Sequence, residues 1–149
     1  MKTEGEAGFD ACNCHAIRQA ARHVTQFYDQ LLAPSGLRVT QFAILSRLRR
    51  AGPMSINALA ALLVMDRTTL GRNILPLERD GLIAVAPGSA DRRRHELSIT
   101  DAGVARHRTA LKYWREAQAR FGSAFGEERA ATLRELLHDV TARDFAAGG

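Results

Sequence analysis

Arg67-Thr68-Thr69-Leu70-Gly71-Arg72-Asn73 packs, within two helical turns, side chains suited to reading duplex DNA. Threonine hydroxyls bond phosphates or touch a thymine methyl, an arginine fork matches guanine, and an asparagine amide matches adenine. Arg67, Thr68, Thr69, Arg72 and Asn73 are therefore the candidate DNA contacts of this stretch. The bland alternative is a solvated helix that carries hydroxyls and arginines. Gly71 costs about 1 kcal/mol relative to alanine inside a helix, so it needs a reason. Close approach of DNA is one; close packing on a preceding helix is the other. A second group follows at Asp91-Arg92-Arg93-Arg94. Three consecutive arginines repel one another unless an anion lies among them, and a narrow minor groove supplies one. Asp91 pairs with one arginine in this reading and holds the loop. An isolated arginine run would more simply be a solvated loop; its place just after the first group favours DNA.

The third group is Cys12-Asn13-Cys14-His15, which contains both cysteines of the chain. A Cys-x-Cys pair in a reducing compartment is seldom a structural disulfide; it is inert, redox-active or metal-binding. A thiol at a helix start is more reactive than most, which makes Cys12 and Cys14 candidate redox sensors. Cys12, Cys14 and His15 are three zinc ligands at most, so a closed site would need a partner subunit. No metal and no cofactor is assigned.

These groups need elements to carry them, and most of the chain reads as helix. Ile17, Ala21, Val24, Tyr28 and Leu31 recur every three or four residues on a first helix, which stops near Ala33-Pro34-Ser35-Gly36. Thr40 caps a second helix bearing Phe42, Leu45 and Leu48, and Gly52-Pro53 ends it. Ser55 caps a third, with Ile56, Leu59, Leu62 and Leu63 inward. Asp66 caps a fourth, the first chemical group opens it, and Gly81 closes it; Pro76 should kink it beyond the reading half. The third and fourth helices, joined by a tight turn, read as a helix-turn-helix whose second helix enters a major groove. Leu82 to Val85 and Glu96 to Ile99 then read as a hairpin, with Pro87-Gly88-Ser89-Ala90-Asp91 and the arginines at its tip. Thr100 caps a long helix with a seam of Val104, His107, Leu111, Trp114, Gln118, Phe121 and Phe125. A last helix runs from about Glu127 to Phe145 with Leu133, Leu136, Leu137 and Val140 inward.

The 149 residues are 46% hydrophobic and 25% charged, ordinary values for a soluble globular protein. Collagen-like, wholly disordered and disulfide-scaffold classes are excluded. The apolar run through Leu59 to Met65 falls well short of the roughly 18 residues of a membrane helix. Met1-Lys2-Thr3-Glu4-Gly5-Glu6 leads into no secretory apolar segment, so a cytoplasmic protein without membrane contact is expected. Formal net charge is +5 and the pI is about 10.0, which suits a polyanionic partner. Among 21 basic residues only Lys2 and Lys112 are lysine. Phosphate recognition explains that arginine excess; so does codon bias in a GC-rich genome.

Enzyme readings find little support. His15, His23, His95, His107 and His138 include no metal-binding pair, and neither a phosphate-cradling glycine loop nor a nucleophile elbow is present. His107, on an apolar helical face, reads as a core or interface histidine.

Three segments resemble the multiple-antibiotic-resistance regulator (MarR) family of bacterial winged-helix transcription factors. They are Leu77-Glu78-Arg79-Asp80-Gly81-Leu82-Ile83, the wing signature Asp91-Arg92-Arg93, and Leu97-Ser98-Ile99-Thr100-Asp101-Ala102-Gly103. The family pattern is Asp-x-Arg, three residues, then Leu-x-Leu-Thr-x-x-Gly, with Ile99 here for the second leucine. Gly71 replaces a hydroxyl residue frequent in the family's recognition helix, and Pro76 is unusual there. The resemblance implies a mainly α fold: a winged helix-turn-helix with a small two-stranded β-wing, flanked by dimerisation helices. The expected organisation is one domain over 1–149, with 9–35 and 100–146 as dimerisation helices and 37–99 as the DNA-binding lobe. Terminal helices this apolar have too little partner surface within one chain, and a dimer supplies it. The implied function is a homodimeric repressor on a pseudo-palindromic double-stranded operator, released by a small-molecule inducer or by thiol oxidation. Tyr28, Phe42 and Trp114, with Phe27 and Tyr113, are candidates to line a ligand cleft; core packing is the plainer assignment. A winged helix that binds only protein, or a thiol-dependent enzyme, are the rival classes.

Overall fold

The computed structural model describes residues 8–88 and 91–147. The tail Met1 to Glu6 and the loop residues Ser89 and Ala90, which entered the expectations above, lie outside them. Helix α1 (Asn13–Leu32) runs into a 3-10 turn (Ala33–Ser35), followed by α2 (Val39–Ala51) and the two-residue strand β1 (Met54–Ser55). Then come α3 (Ile56–Leu63), α4 (Arg67–Arg79), β2 (Ile83–Pro87), β3 (His95–Ile99), α5 (Asp101–Phe125) and α6 (Glu127–Ala142).

Three helix starts follow from local chemistry. Ser55 Oγ accepts the Ala58 N–H at 3.1 Å, Asp66 Oδ1 that of Thr69 at 2.8 Å, and Thr100 Oγ1 that of Gly103 at 3.0 Å. Each satisfies one orphan donor of its helix. The second helix departs from expectation: it starts at Val39, and Thr40 is not its cap. Asp29 Oδ1 reaches across from α1 to accept the Val39 N–H at 2.8 Å, and Gln41 Oε1 accepts that of Arg38 at 2.9 Å. A carboxylate from a neighbouring helix replaces the local hydroxyl. Gly81 closes α4 with φ +72°, and the Leu82 N–H reaches back to the Leu77 carbonyl at 2.9 Å, an ending that favours glycine. Helix α4 continues past Pro76 to Arg79 as one element.

The sheet has three antiparallel strands in the order β1-β3-β2. Ile83 pairs with Ile99, Val85 with Leu97 and Pro87 with His95, while Met54 adds to the far side of Leu97. The hairpin is as expected; β1 is an addition, too short for any alternation to betray it. Beneath the sheet lies the core: Phe42, Ile44, Leu45 and Leu48 of α2, Leu59 of α3, Leu70, Ile74 and Leu77 of α4, and Leu82, Ile83 and Leu97.

Helix α5 crosses this core partly along the expected seam, through His107, Leu111 and Trp114, and more deeply through a face beside it. Its buried residues are Gly103, His107, Ala110, Ala117 and Gly122, whereas Gln118 is exposed and the seam's aromatics are half-buried. Small residues at the contact let the helix axes approach, so α5 buries its small face. The last helix stops at Ala142, with Phe145 beyond it exposed. Leu136, Leu137 and Val140, expected inward, are exposed within one chain, and Leu133 is half-buried.

His107 ties α5 to α2. Arg49 can only donate, so its Nη1, 3.0 Å away, makes the histidine Nδ1 an acceptor. Nε2–H then donates to Ser46 Oγ at 2.8 Å, which donates to the Phe42 carbonyl at 2.8 Å. The imidazole stacks on the Phe42 ring with centroids 4.9 Å apart. Burial, and then the Arg49 charge, hold its pKa below the usual histidine range. It is a core histidine, fixed in one neutral tautomer.

Candidate nucleic-acid interface

The turn between α3 and α4 sets the angle of the candidate reading helix. Val64 adopts the left-handed conformation, φ 53° and ψ 48°, while capping α3 through its backbone N–H. It is the one non-glycine residue with positive φ among the described residues. A β-branched side chain there costs roughly 1–2 kcal/mol, and strain of this kind gathers at functional turns. Two residues later Asp66 takes the Thr69 N–H on one oxygen and the Thr69 hydroxyl on the other, at 2.8 and 2.7 Å. Those two bonds, the backbone one first, hold its carboxyl below the usual carboxylate range. The start of α4 is thus clamped by an ionised cap.

Leu70, Ile74 and Leu77 anchor α4 to the core, which turns the other face outward. Arg67, Thr68, Thr69 and Arg72 are all exposed there. Thr69 is already engaged with Asp66, and Asn73, half-buried, donates its amide to the Thr69 carbonyl at 2.9 Å. Asn73 must break that bond to reach a base. A Cβ on Gly71 would meet nothing within 4 Å, so packing on α3 does not explain this glycine.

On the wing, Asp91 Oδ1 accepts the backbone N–H of Arg93 at 3.0 Å. It holds the loop as expected, though through the main chain and not through a guanidinium. The Arg94 N–H bonds the Asp91 carbonyl at 3.1 Å, and the Gly88 N–H bonds the Arg94 carbonyl at 2.6 Å. Arg92, Arg93 and Arg94 are exposed. Arg93 and Arg94 share a recess of about 230 Å³ with Arg67, Ser55, Asn57 and His95. The fold therefore brings the start of the reading helix and the wing together. Ser55, Asn57 and His95 were not among the candidate DNA contacts, because their neighbours in space are distant in the chain.

The ligand-cleft candidates do not converge. Phe42 is buried, stacked between His107 and Trp114, with the Trp114 centroid 5.8 Å away. Phe42 and Trp114 serve core packing. Tyr28 alone borders the large cavity of about 880 Å³ framed by α1, α5 and α6. Its hydroxyl donates to Gln118 Oε1, and burial raises its pKa against the opposing pull of Arg134.

Cys12 caps α1, its Sγ accepting the His15 N–H at 3.4 Å, and Cys14 is exposed in the first turn. Among the described residues no three His, Cys, Asp or Glu side chains are grouped to hold a metal ion, and no helix is long and apolar enough to cross a membrane.

Comparison with known proteins agrees with this geometry. The model of the MarR family matches residues 37–95, the span of the lobe. The transcriptional activatory protein BadR of Rhodopseudomonas palustris is 33% identical over 125 residues, covering 82% of this chain and 70% of BadR. The HTH-type transcriptional repressor NicR of Pseudomonas putida is 28% identical over 135 residues, 90% of this chain and 85% of NicR. The crystal structure of the M. tuberculosis transcriptional regulator MosR in complex with DNA matches with a TM-score of 0.79 at 34% identity, covering 88% of this chain and 94% of that one. On the strength of a shared lobe, shared wing and shared flanking helices, this chain belongs to the MarR family of transcriptional regulators.

Proposed function

We propose that the whole chain is one unit, a homodimeric transcriptional regulator that binds duplex DNA at a pseudo-palindromic operator and represses by occupying it. It acts in the cytoplasm, where the DNA is, and carries no catalytic activity. The observation that carries this reading is the meeting of α4 and wing: Arg67, Thr68 and Arg72 are exposed on the helix and Arg92, Arg93 and Arg94 on the wing, and a recess bordered by Arg67, Arg93 and Arg94 joins the two. Arg72 reads a base edge in the major groove, and Arg92, Arg93 and Arg94 meet the minor groove. Dimerisation follows from the apolar faces of α1 and α6, where Ile17, Leu136, Leu137 and Val140 have no cover in one chain. The cavity between α1, α5 and α6 receives the partner's terminal helices. BadR and NicR carry opposite printed roles, activator and repressor, so the sign of regulation rests on where the operator lies relative to the promoter.

Thiol oxidation is the release signal the local geometry favours, because Cys12 is the cap of α1 and Cys14 lies exposed two residues on. A peroxide converts the Cys14 thiol to a sulfenic acid and water; the Cys12 thiol then displaces a second water and forms the Sγ–Sγ bond. Two thiols lose two electrons and the peroxide takes them. The bond removes the cap of a helix packed on α5 and so alters the spacing of the reading heads. Of the side chains considered for an inducer cleft, Tyr28 alone lines that cavity, which the partner's helices fill in this reading.

Selection of bound duplexes from a random pool and from the DNA upstream of the protein's own coding sequence tests the reading. A two-fold site bound about 10³-fold or more above random duplex is expected. Weak binding indifferent to sequence and salt would support a protein-interaction module instead. Peroxide should weaken operator binding in the wild type and not in Cys12→Ser/Cys14→Ser; equal behaviour of the two would remove the cysteines from regulation.

A further inference from the structure

We propose that Leu75 is a base-reading residue: its side chain takes the C5-methyl of a thymine in the major groove and so fixes one A·T pair of each half-site. This role rests on the DNA-binding reading of α4 and adds to it a specificity residue that carries neither charge nor hydrogen bond.

One of the four large aliphatic residues of α4 is turned away from the core. Leu70 and Leu77 are 0% and 1% exposed and Ile74 is buried with them, whereas Leu75 is 66% exposed. Dimerisation does not account for it. The apolar residues left open for a second copy, Ile17, Leu136, Leu137 and Val140, belong to α1 and α6, and Leu75 is on neither helix.

Spacing puts Leu75 on the reading face instead. Thr68, Arg72, Leu75 and Arg79 follow one another in steps of four, three and four residues, which makes one stripe of an α-helix. Leu70, Ile74 and Leu77 form the buried stripe on the other side. At 1.5 Å of rise per residue, Leu75 lies about 4.5 Å along the axis from Arg72, against about 3.4 Å between successive bases. A methyl touched by Leu75 is therefore about one or two base pairs from the base that Arg72 reads. Beyond Leu75 the stripe turns inward on the protein, because Arg79 Nε is 3.7 Å from the Asp80 carboxylate.

The helix surface beside Leu75 is also bare. Leucine side chains on a helix lean toward its N-terminus, onto the residue four earlier. Here that residue is Gly71, where even a Cβ would meet nothing within 4 Å, so Leu75 has no side chain to lie against. Its methyl groups stay in water until a ligand covers them. Continuity with Thr68 and Arg72 makes that ligand the floor of the major groove, where the thymine methyl is the apolar group presented. Contact between the two takes apolar surface of both out of water.

The test replaces each thymine of the selected operator in turn, at equivalent positions of both half-sites, by uracil, which is thymine without its methyl. Affinities are measured for the full-length wild type, Leu75→Ala, Leu75→Met and Thr68→Ser, with thermal melting as the fold control. At one thymine the wild type should lose about three- to fourfold per methyl, or about tenfold for the pair. That loss should shrink toward none in Leu75→Ala. It should persist in Leu75→Met, which keeps a long apolar side chain, and in Thr68→Ser, which removes the threonine methyl from the same stripe. Leu75→Ala should keep the wild-type salt slope, because no phosphate contact goes with it. Operator binding with no thymine methyl coupled to Leu75, or with that coupling belonging to Thr68, would overturn the assignment and leave DNA binding standing. Failure of the wild type to bind any duplex would overturn both.

Discussion

The lobe between Leu37 and Ile99 and the helices that flank it carry the same kind of apolar periodicity, yet they use it differently. The lobe closes its apolar faces on one another, with Leu45, Leu48, Leu59, Leu70 and Leu77 essentially inaccessible. Of the flanks, α1 fully buries Leu32 alone and α6 Ala130 alone, while Leu136 is 59% exposed. One region is a finished core and the other is half of one. A finished core positions chemistry by itself, whereas half a core makes that position depend on a second molecule. This division suits a regulator whose reading heads are rigid and whose spacing is adjustable.

The largest effect should come from denying the flanks their partner. Leu137→Glu places a charge on the α6 face that lines the large cavity. It should give a monomer in sedimentation, with the lobe still folded. Operator affinity should fall by about 10² to 10⁴, the advantage of two linked contacts over one. A fully dimeric Leu137→Glu protein with unchanged affinity would break the contrast between the regions.

Gly103 lies where the two regions meet. A Cβ there would collide with the Leu82 carbonyl oxygen and sit 2.7 Å from Ile99 Cγ1, so Gly103→Ala should cost about 1–3 kcal/mol, visible as a drop in melting temperature. Gly71, in the lobe, is the opposite case because its Cβ would meet nothing. Gly71→Ala should stabilise the free protein by about 1 kcal/mol while weakening operator binding. Gain of stability without loss of affinity would mean that DNA does not approach at Gly71.

The smallest effect concerns the His107 bridge between α2 and α5. Its folded pKa lies below the unfolded value of 6.5, so the unfolded chain takes up the proton first as pH falls. Stability from the neutral histidine is complete above about pH 6.5, declines as pH drops below it, and levels off once the folded state is protonated too. Melting temperatures across that range should show this decline in the wild type and a weaker one in His107→Gln. Identical profiles would place the titration elsewhere.

Legibility in the sequence followed the range of the interaction. The caps Ser55, Asp66 and Thr100 act three residues ahead, and Gly81 acts on the turn before it, so their residue types announce them. Asp29 capping α2 and Met54 joining the sheet are contacts across the fold, and no spacing records them. The seam of α5 told only part of the contact: His107, Leu111 and Trp114 do pack on the core, but the closest approach is made by Gly103, Ala110 and Ala117, small residues that do not draw the eye. The exposed arginines of helix and wing were visible as types. Their union around one recess depends on the register of β3, which only the folded chain supplies.

The central claim is a pair of rigid reading heads whose separation is set by the flanking helices. Inserting about five base pairs, half a helical turn, between the half-sites of the selected operator turns one of them to the opposite side of the duplex. Titration of both duplexes with the full-length protein should show the altered site bound no more tightly than a single half-site. Equal affinity for the two duplexes would contradict the account.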